Sequence, residues 1–333
     1  MKIFLLQLLF ITTLLCSCTK KETFVISFGS CNNQNIPNKL WSSILSHDPD
    51  LFIWGGDIIY SDTENMALMR ENYKMMKDDI AYSNFRKKVP VIGTWDDHDY
   101  GLNDGGANYL KKDSAQQLFL DFFDVGPDHP RRNQKGIYEL YTYTKGGASI
   151  NIIVLDMRYF RSDLTKDPTG EKRYIPTHNQ DATMLGAAQW KWLEDILTTS
   201  DARFNIIVSS IQFLSYEHGF ESWGNMPGEV EKMKNLIVKS KARGVIFLSG
   251  DRHIAEISKM DIQGLDYPLF DFTSSGMTHS YDTFSGEPNA FRIGDVVAEK
   301  NFGLLTIDLK ENTVKMEIRG DENVLFKELT QKY

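Results

Sequence analysis

Four short apolar runs, each followed within a few residues by side chains of metal-ligand type, constrain this chain more than any other feature. The runs are Phe24-Val25-Ile26-Ser27-Phe28, Leu51-Phe52-Ile53-Trp54, Val89-Pro90-Val91-Ile92 and Val245-Ile246-Phe247-Leu248. They lead into Gly29-Ser30-Cys31, Gly56-Asp57-Ile58-Ile59-Tyr60, Trp95-Asp96-Asp97-His98-Asp99 and Gly250-Asp251-Arg252-His253. Apolar runs of this length bounded by glycine read as buried strands. Ligands of α/β sheets bind at the carboxyl ends of the strands. Bringing the four ends to one edge would gather Cys31, Asp57, Tyr60, Asp97, His98, Asp251 and His253 there, which in residue type is a metal centre.

The rest of the chain fits a layered α/β fold. Helical periodicity is expected over residues 37–47, 64–80, 113–123, 187–197 and 229–240, and β-branched strands over 150–155, 204–208 and 245–248. That alternation is a βαβ pattern. Further strands are expected at 254–259, 269–272, 304–309 and 313–318, with Lys310-Glu311-Asn312 as a hairpin turn. Either one sheet continues or a second packs on it. No repeat and no linker rich in Pro or Ser interrupts the chain, so residues 24–333 read as a single domain. The polar segments 101–106 and 165–180 are long enough to be site loops or lids.

The formal net charge of -8 supplies no basic footprint and excludes general nucleic-acid binding. It leaves phosphate-bearing substrates open, because bound cations invert the local field. Residues 1–17, with Lys2 ahead of an apolar run, read as a signal peptide too short to span a bilayer. Leu15 and Ser17 ahead of Cys18 resemble a bacterial lipobox, with Cys18 the lipidated first residue of the mature chain and 18–23 a short tether. Cys31 is then the other thiol of the mature chain. An odd Cys in an exported protein has no disulfide partner. It is either a buried inert thiol or a metal-bound thiolate, and its place at a strand end favours the second.

Asp57 is the candidate for a carboxylate bridging two cations, because Gly56 lets the backbone turn tightly before it. A phenolate, a thiolate and a carboxylate together favour ferric iron, with zinc or manganese as alternatives. Asp57, Asp97 and Asp251 would make a carboxylate-rich second site suited to calcium, magnesium or manganese. An extended Gly250–His253 segment would place Asp251 and His253 on one side and Arg252 on the other.

Phe28-Gly29-Ser30-Cys31, Gly56-Asp57-Ile58-Ile59-Tyr60, Thr94-Trp95-Asp96-Asp97-His98-Asp99, Leu155-Asp156-Met157-Arg158-Tyr159, Gln212-Phe213-Leu214 and Ser249-Gly250-Asp251-Arg252-His253 together carry a resemblance. The chain resembles the PhoD-type alkaline phosphatases, a branch of the calcineurin-like metallophosphoesterases, from residue 28 to about residue 279. The resemblance implies a four-layer αββα sandwich with the site at the carboxyl ends of the strands. It implies two metal ions: ferric iron held by Cys31, Asp57, Tyr60 and His253, and calcium (or manganese, magnesium or zinc) held by Asp57, Asp97 and Asp251. Gln212 stands where the wider superfamily has a histidine ligand, and either ligates through its carbonyl oxygen or does not ligate. His98 would stabilise the transition state or protonate the leaving group. Arg158 and Arg252 are candidates for a phosphate clamp, since Arg contacts phosphate bidentately; on an extended segment Arg252 would point away from its neighbours and be structural instead. His218 and His279 lie in loops near the later motifs and read as packing or surface histidines.

The expected function is that of an exported, lipid-anchored phosphoesterase. A metal-bound hydroxide would attack the phosphorus of a mono- or diester in line. Its partners would be a phosphate-ester substrate and a membrane reached through the N-terminal lipid, on the periplasmic side or outer membrane of a cell envelope. The alternative is a lipoprotein of the same fold that binds phosphate ligands without turnover. A serine hydrolase is disfavoured, because the chain has no Gly-x-Ser-x-Gly elbow.

Overall fold

The computed structural model describes residues 22–333; the signal segment, Cys18 and the start of the tether lie outside the described residues. The chain opens with β1 (Thr23–Gly29), α1 (Leu40–Leu45), β2 (Leu51–Gly55), α2 (Met66–Asp78), α3 (Ile80–Arg86) and β3 (Val91–Thr94). There follow α4 (Asp97–Tyr100), α5 (Lys112–Phe122), β4 (Glu139–Lys145), β5 (Ala148–Val154), β6 (Thr165–Lys166) and β7 (Tyr174–Ile175). Next come α6 (Gly186–Thr199), β8 (Phe204–Val208), α7 (Pro227–Ser240) and β9 (Val245–Ser249). The last strands are β10 (Ala255–Met260), β11 (Leu269–Ser274), β12 (Phe302–Asp308), β13 (Thr313–Arg319) and β14 (Leu325–Lys332).

Two six-stranded sheets form, in the orders β14-β13-β12-β1-β2-β3 and β10-β11-β9-β8-β5-β4. β1, β2 and β3 run parallel, as do β5, β8, β9 and β11. Alternation along the strands explains the layering. Phe24, Ile26 and Phe28 of β1 point into one buried cluster with Ile150, Ile152 and Val154 of β5 and Ile246 and Leu248 of β9. That cluster lies between the sheets, and Phe28 meets Phe272 of the opposite sheet edge-on at 4.9 Å.

The opposite faces of the same strands carry the helices. Phe52 and Trp54 of β2 pack with Trp41 of α1, Tyr82 and Phe85 of α3 and Phe119 of α5. Ile153, Ile207 and Phe247 of the second sheet pack with Trp190 and Leu193 of α6 and Met233 and Ile237 of α7. The result is the four-layer αββα sandwich. Each large side chain buried in these three clusters contributes about 1.5–3 kcal/mol.

The structure differs from the sequence reading at the sheet margins. β4 and β14 are edge strands whose residues alternate between half-buried and exposed. Their polar faces hid them from a search for apolar runs. α1 is shorter than residues 37–47 because Asn38 Oδ1 accepts the Leu40 N–H at 2.9 Å and starts the helix there. The 165–180 loop contains the small β6–β7 hairpin.

Candidate metal centre

The ligand-bearing turns share one backbone device. Cys31 (φ 59), Asp57 (φ 51), Asp251 (φ 71) and His253 (φ 54) all lie in the left-handed region. Non-glycine residues there cost about 1–3 kcal/mol each and persist where the surroundings over-determine them. Here the Asn32 N–H donates to Asp57 O (2.8 Å) and the Met277 N–H to Ser30 O (3.1 Å). The His253 N–H donates to Ser275 Oγ (2.8 Å). Two glycines permit the loops to close up. A Cβ at Gly56 would sit 2.5 Å from Asp96 Cβ, and one at Gly250 would sit 2.5 Å from Ser30 Oγ.

The expectation of an extended Gly250–His253 segment is corrected by these angles. Asp251 and His253 leave the turn toward two neighbouring groups. Cys31, Asp57 and His253 bring one ligand atom each within 4.8 Å of one another, as do Asp96, Asp97 and Asp251. Asp57 and Asp97 link the two, meeting with His98 in a further group. Tyr60 joins the first set: its Oη is 3.0 Å from His253 Nε2. Cys31 Sγ lies 3.4 Å from Asp57 Oδ2 and 3.0 Å from Ser275 Oγ. Each of the six expected protein ligands apart from Gln212 therefore lies in this one assembly.

The electrostatics fit a cation. Burial, then the charges of Cys31 and Asp97, hold Asp57 well above the ordinary carboxylate range. Burial and then Asp96 do the same to Asp251. Burial pushes the Cys31 thiol up to about 12 and brings His253 down to about 4, aided by His279. Buried carboxylates and a thiol so close together hold protons or share a cation. Asp97 Oδ1 and Asp96 Oδ2 are buried with no hydrogen-bond partner, and such orphaned acceptors are costly unless a donor or cation meets them. A neutral His253 and a thiol that a cation would deprotonate suit ligation.

His98 sits at the mouth of this assembly. Its ring stacks on Tyr60 with centroids 4.1 Å apart, and its Nδ1 is 2.6 Å from Asp62 Oδ2. Burial opposes its charge, but the Asp62 hydrogen bond and the Asp57 and Asp97 carboxylates prevail and raise its pKa to about 10. A cleft of about 460 Å³ opens here, lined by Asp97, His98, His253, Arg173, Arg252 and Tyr281 among others.

Arg158 is placed differently from the expected phosphate clamp. It is fully buried. Its Nε donates to Asp96 Oδ1 (2.7 Å) and its Nη1 to Glu221 Oε2 (2.6 Å). It positions Asp96 and does not line the cleft. Arg252 does line the cleft, but it pairs with Glu287 (2.8 Å) and lies over the Phe220 ring at 4.2 Å. Gln212 is buried, and its Nε2 donates to Glu256 Oε1 (2.7 Å) and Thr273 Oγ1 (2.9 Å), while its Oε1 has no partner. His279 packs edge-on against Tyr60 (5.1 Å) and His253 (4.5 Å). His218 is held away from the ligand groups, its Nδ1 accepting the Phe220 N–H at 3.0 Å.

Five functional neighbours escaped the sequence reading: Asp62, Asp96, Asp104, Glu221 and Ser275. Asp104 and Glu221 form a further ligand-type group with Asp97, and the Asp104 N–H donates to Asp97 Oδ2 at 2.7 Å. Asp96 lies in a motif and Asp104 in the 101–106 loop read as a site loop; only proximity identifies Asp62, Glu221 and Ser275. Asp99, a motif residue with no ligand duty, accepts the N–H groups of Asp96 (2.6 Å) and Ile58 (3.1 Å) and ties two ligand loops together.

A family model described as PhoD-like phosphatase matches residues 26–316. Alkaline phosphatase D of Bacillus subtilis (strain 168) is 24% identical over 212 residues, covering 58% of this chain and 36% of the relative. The chain thus spans about a third of that relative's length. A solved structure of PhoD superposes with a TM-score of 0.74 at 19% identity, covering 93% of this chain and 68% of that one. GAP50, the anchor in the inner membrane complex of Plasmodium, superposes at 0.58 and 12% identity, over 93% and 89% of the two chains. At these identities the superpositions establish the fold.

Proposed function

The chain belongs to the PhoD-like phosphatase family, and from that premise we propose that it is an exported, lipid-anchored, metal-dependent phosphoesterase. One observation carries the reading: the four strand-end turns converge on a buried cluster of Cys31, Asp57, Asp97, Asp251 and His253 with orphaned acceptor atoms. In that reading Cys31, Asp57, Tyr60 and His253 hold one cation, suited to ferric iron, and Asp57, Asp97 and Asp251 a second, suited to calcium. Bound cations there would acidify water and neutralise phosphoryl oxygens.

The chain's own residues do the rest. His98 presents Nε2 to the cleft, because Asp62 engages Nδ1 and fixes the ring. A charged His98 is then a proton donor to the departing oxygen. Arg158 and Asp99 hold the Asp96-Asp97 turn against the Asp57 turn. Arg252 and Arg173 border the cleft and meet the outer oxygens of the ester.

The test is hydrolysis of p-nitrophenyl phosphate and bis-p-nitrophenyl phosphate, side by side, by a form starting after Cys18. Metal content is measured on the same sample. Turnover of either ester with iron and a second metal present is the expected result. Loss of neither substrate by a metal-replete protein overturns the reading.

A further inference from the structure

We infer that the end of the domain opposite the catalytic cleft rests on an anionic phospholipid surface, and that the cleft therefore draws its ester from solvent. The inference rests on the proposed lipidation of Cys18. Thr23, the first residue of β1, comes five positions after Cys18. Fully extended, that stretch reaches about 18 Å. β1 then runs seven residues to Gly29, and a strand of that length covers about 20 Å. Cys31 and the other ligand turns lie beyond its far end. The tether is too short to run back along the strand and press the cleft to the bilayer.

The near end is built for a headgroup surface. The Leu309 N–H donates to Glu22 O (3.1 Å), and Arg203 Nη1 donates to Leu309 O (3.1 Å) and Asn312 Oδ1 (2.7 Å). Arg203 thus stands beside the point where the tether enters. From it opens a pocket of about 740 Å³, lined by Arg203, Lys241, Arg243, Asp266, Tyr267 and Tyr333 among others. Three of these are cations against one carboxylate. The Tyr267 and Tyr333 rings lie together, centroids 5.5 Å apart. Clustered Lys and Arg attract anionic lipid, and Tyr suits the headgroup level. Glu22, Asp201 and Glu311 also sit near this end, so the pocket, and not the whole face, supplies the attraction. The phosphodiester of the anchoring bilayer is then out of reach of the ligand turns, and the substrate class is a water-soluble phosphoester.

The experiment uses the full lipidated protein in phosphatidylcholine vesicles containing phosphatidylglycerol and a lipid-borne energy-transfer acceptor. A donor is attached at Lys310→Cys, beside the pocket, or at Asp282→Cys, on the cleft rim. Cys31 is buried and does not compete for label. Strong transfer from position 310 and weak transfer from 282 is expected. Adding Lys241→Glu and Arg243→Glu should narrow the difference in phosphatidylglycerol vesicles only. Equal transfer, stronger transfer from 282, or hydrolysis of the vesicle's own phosphatidylglycerol overturns the inference. So does mass spectrometry showing no lipid on Cys18. Failure to hydrolyse the soluble esters would instead sink the phosphoesterase reading, with the energy-transfer result still deciding the orientation.

Discussion

Two clusters of buried polar side chains lie at the ends of the sheets, and they are finished differently. Around Asp271 the network closes on itself, with Gln212 Oε1 beside it left without a partner. Asp271 Oδ2 accepts the Phe213 and Leu214 N–H groups (2.7 and 2.9 Å), and Ser249 Oγ donates to its Oδ1 (2.7 Å). Glu256 takes Gln212 and Arg292. Around Asp57 the network stays open: carboxylates and a thiol face one another, and Asp97 Oδ1 has no partner. The closed cluster supplies its own donors and so holds two strand ends in place. The open cluster is short of positive charge, and a cation is what the proposed function would add to it. Burial of polar groups is the same in both; the balance of donors and acceptors separates support from function.

Changes in the two clusters should therefore read out differently. The largest effect is expected from Asp57→Asn in the open one. Turnover should fall by more than the about 10–100-fold typical of residues behind metal ligands. Thermal stability of the metal-free form should hold or rise, because a crowded, buried carboxyl is replaced by a group that cannot ionise. Near-normal kcat in this variant would break the distinction. His98→Gln should lower kcat by about 10²–10⁴-fold while metal content, measured by plasma mass spectrometry, stays unchanged; lost metal would make His98 a ligand instead of a proton donor.

Arg158→Met tests the support behind the open cluster. Asp96 and Glu221 would each lose a buried partner, and stability should drop by about 3–5 kcal/mol in urea titration. A drop below about 1 kcal/mol would mean the guanidinium is not what holds the Asp96 turn. Asp271→Ala, in the closed cluster, should cost about 1–3 kcal/mol by stranding buried N–H groups, with metal content preserved. The last effect is in pH dependence. Burial, its largest influence, raises the Asp271 pKa to about 6 from 3.8. The folded state thus keeps a proton that the unfolded state releases. Stability present below about 3.8 is lost as pH rises through about 6. Asp271→Asn should remove that part of the slope, and an unchanged slope between wild type and variant would refute it.

Much of the site was legible because its strands are continuous apolar runs buried on both faces. Such strands announce themselves, and their last residue points to the ligand turn. Cys31, Asp57, Tyr60, Asp97, Asp251 and His253 were all readable in this way. What escaped lies on loops and margins. Asp62, Asp104 and Glu221 follow no periodic element, and the half-exposed strands β4 and β14 carry too little apolar character to stand out. Arg158 was misread because its chemistry suits phosphate, while its location suits Asp96 and Glu221.

By itself the sequence determined the layered α/β class, the strand ends and the residue types placed at them, since burial periodicity and ligand chemistry are local properties. The tertiary structure decided the rest. It set Cys31, Asp57, Asp251 and His253 into left-handed backbone, which no apolar pattern records. It grouped the ligands into two linked sets, and it divided the buried polar residues into those that satisfy one another and those left open. That division depends on distances between residues far apart in the chain, such as Arg158 and Asp96 or Tyr60 and His253, and only folding sets them.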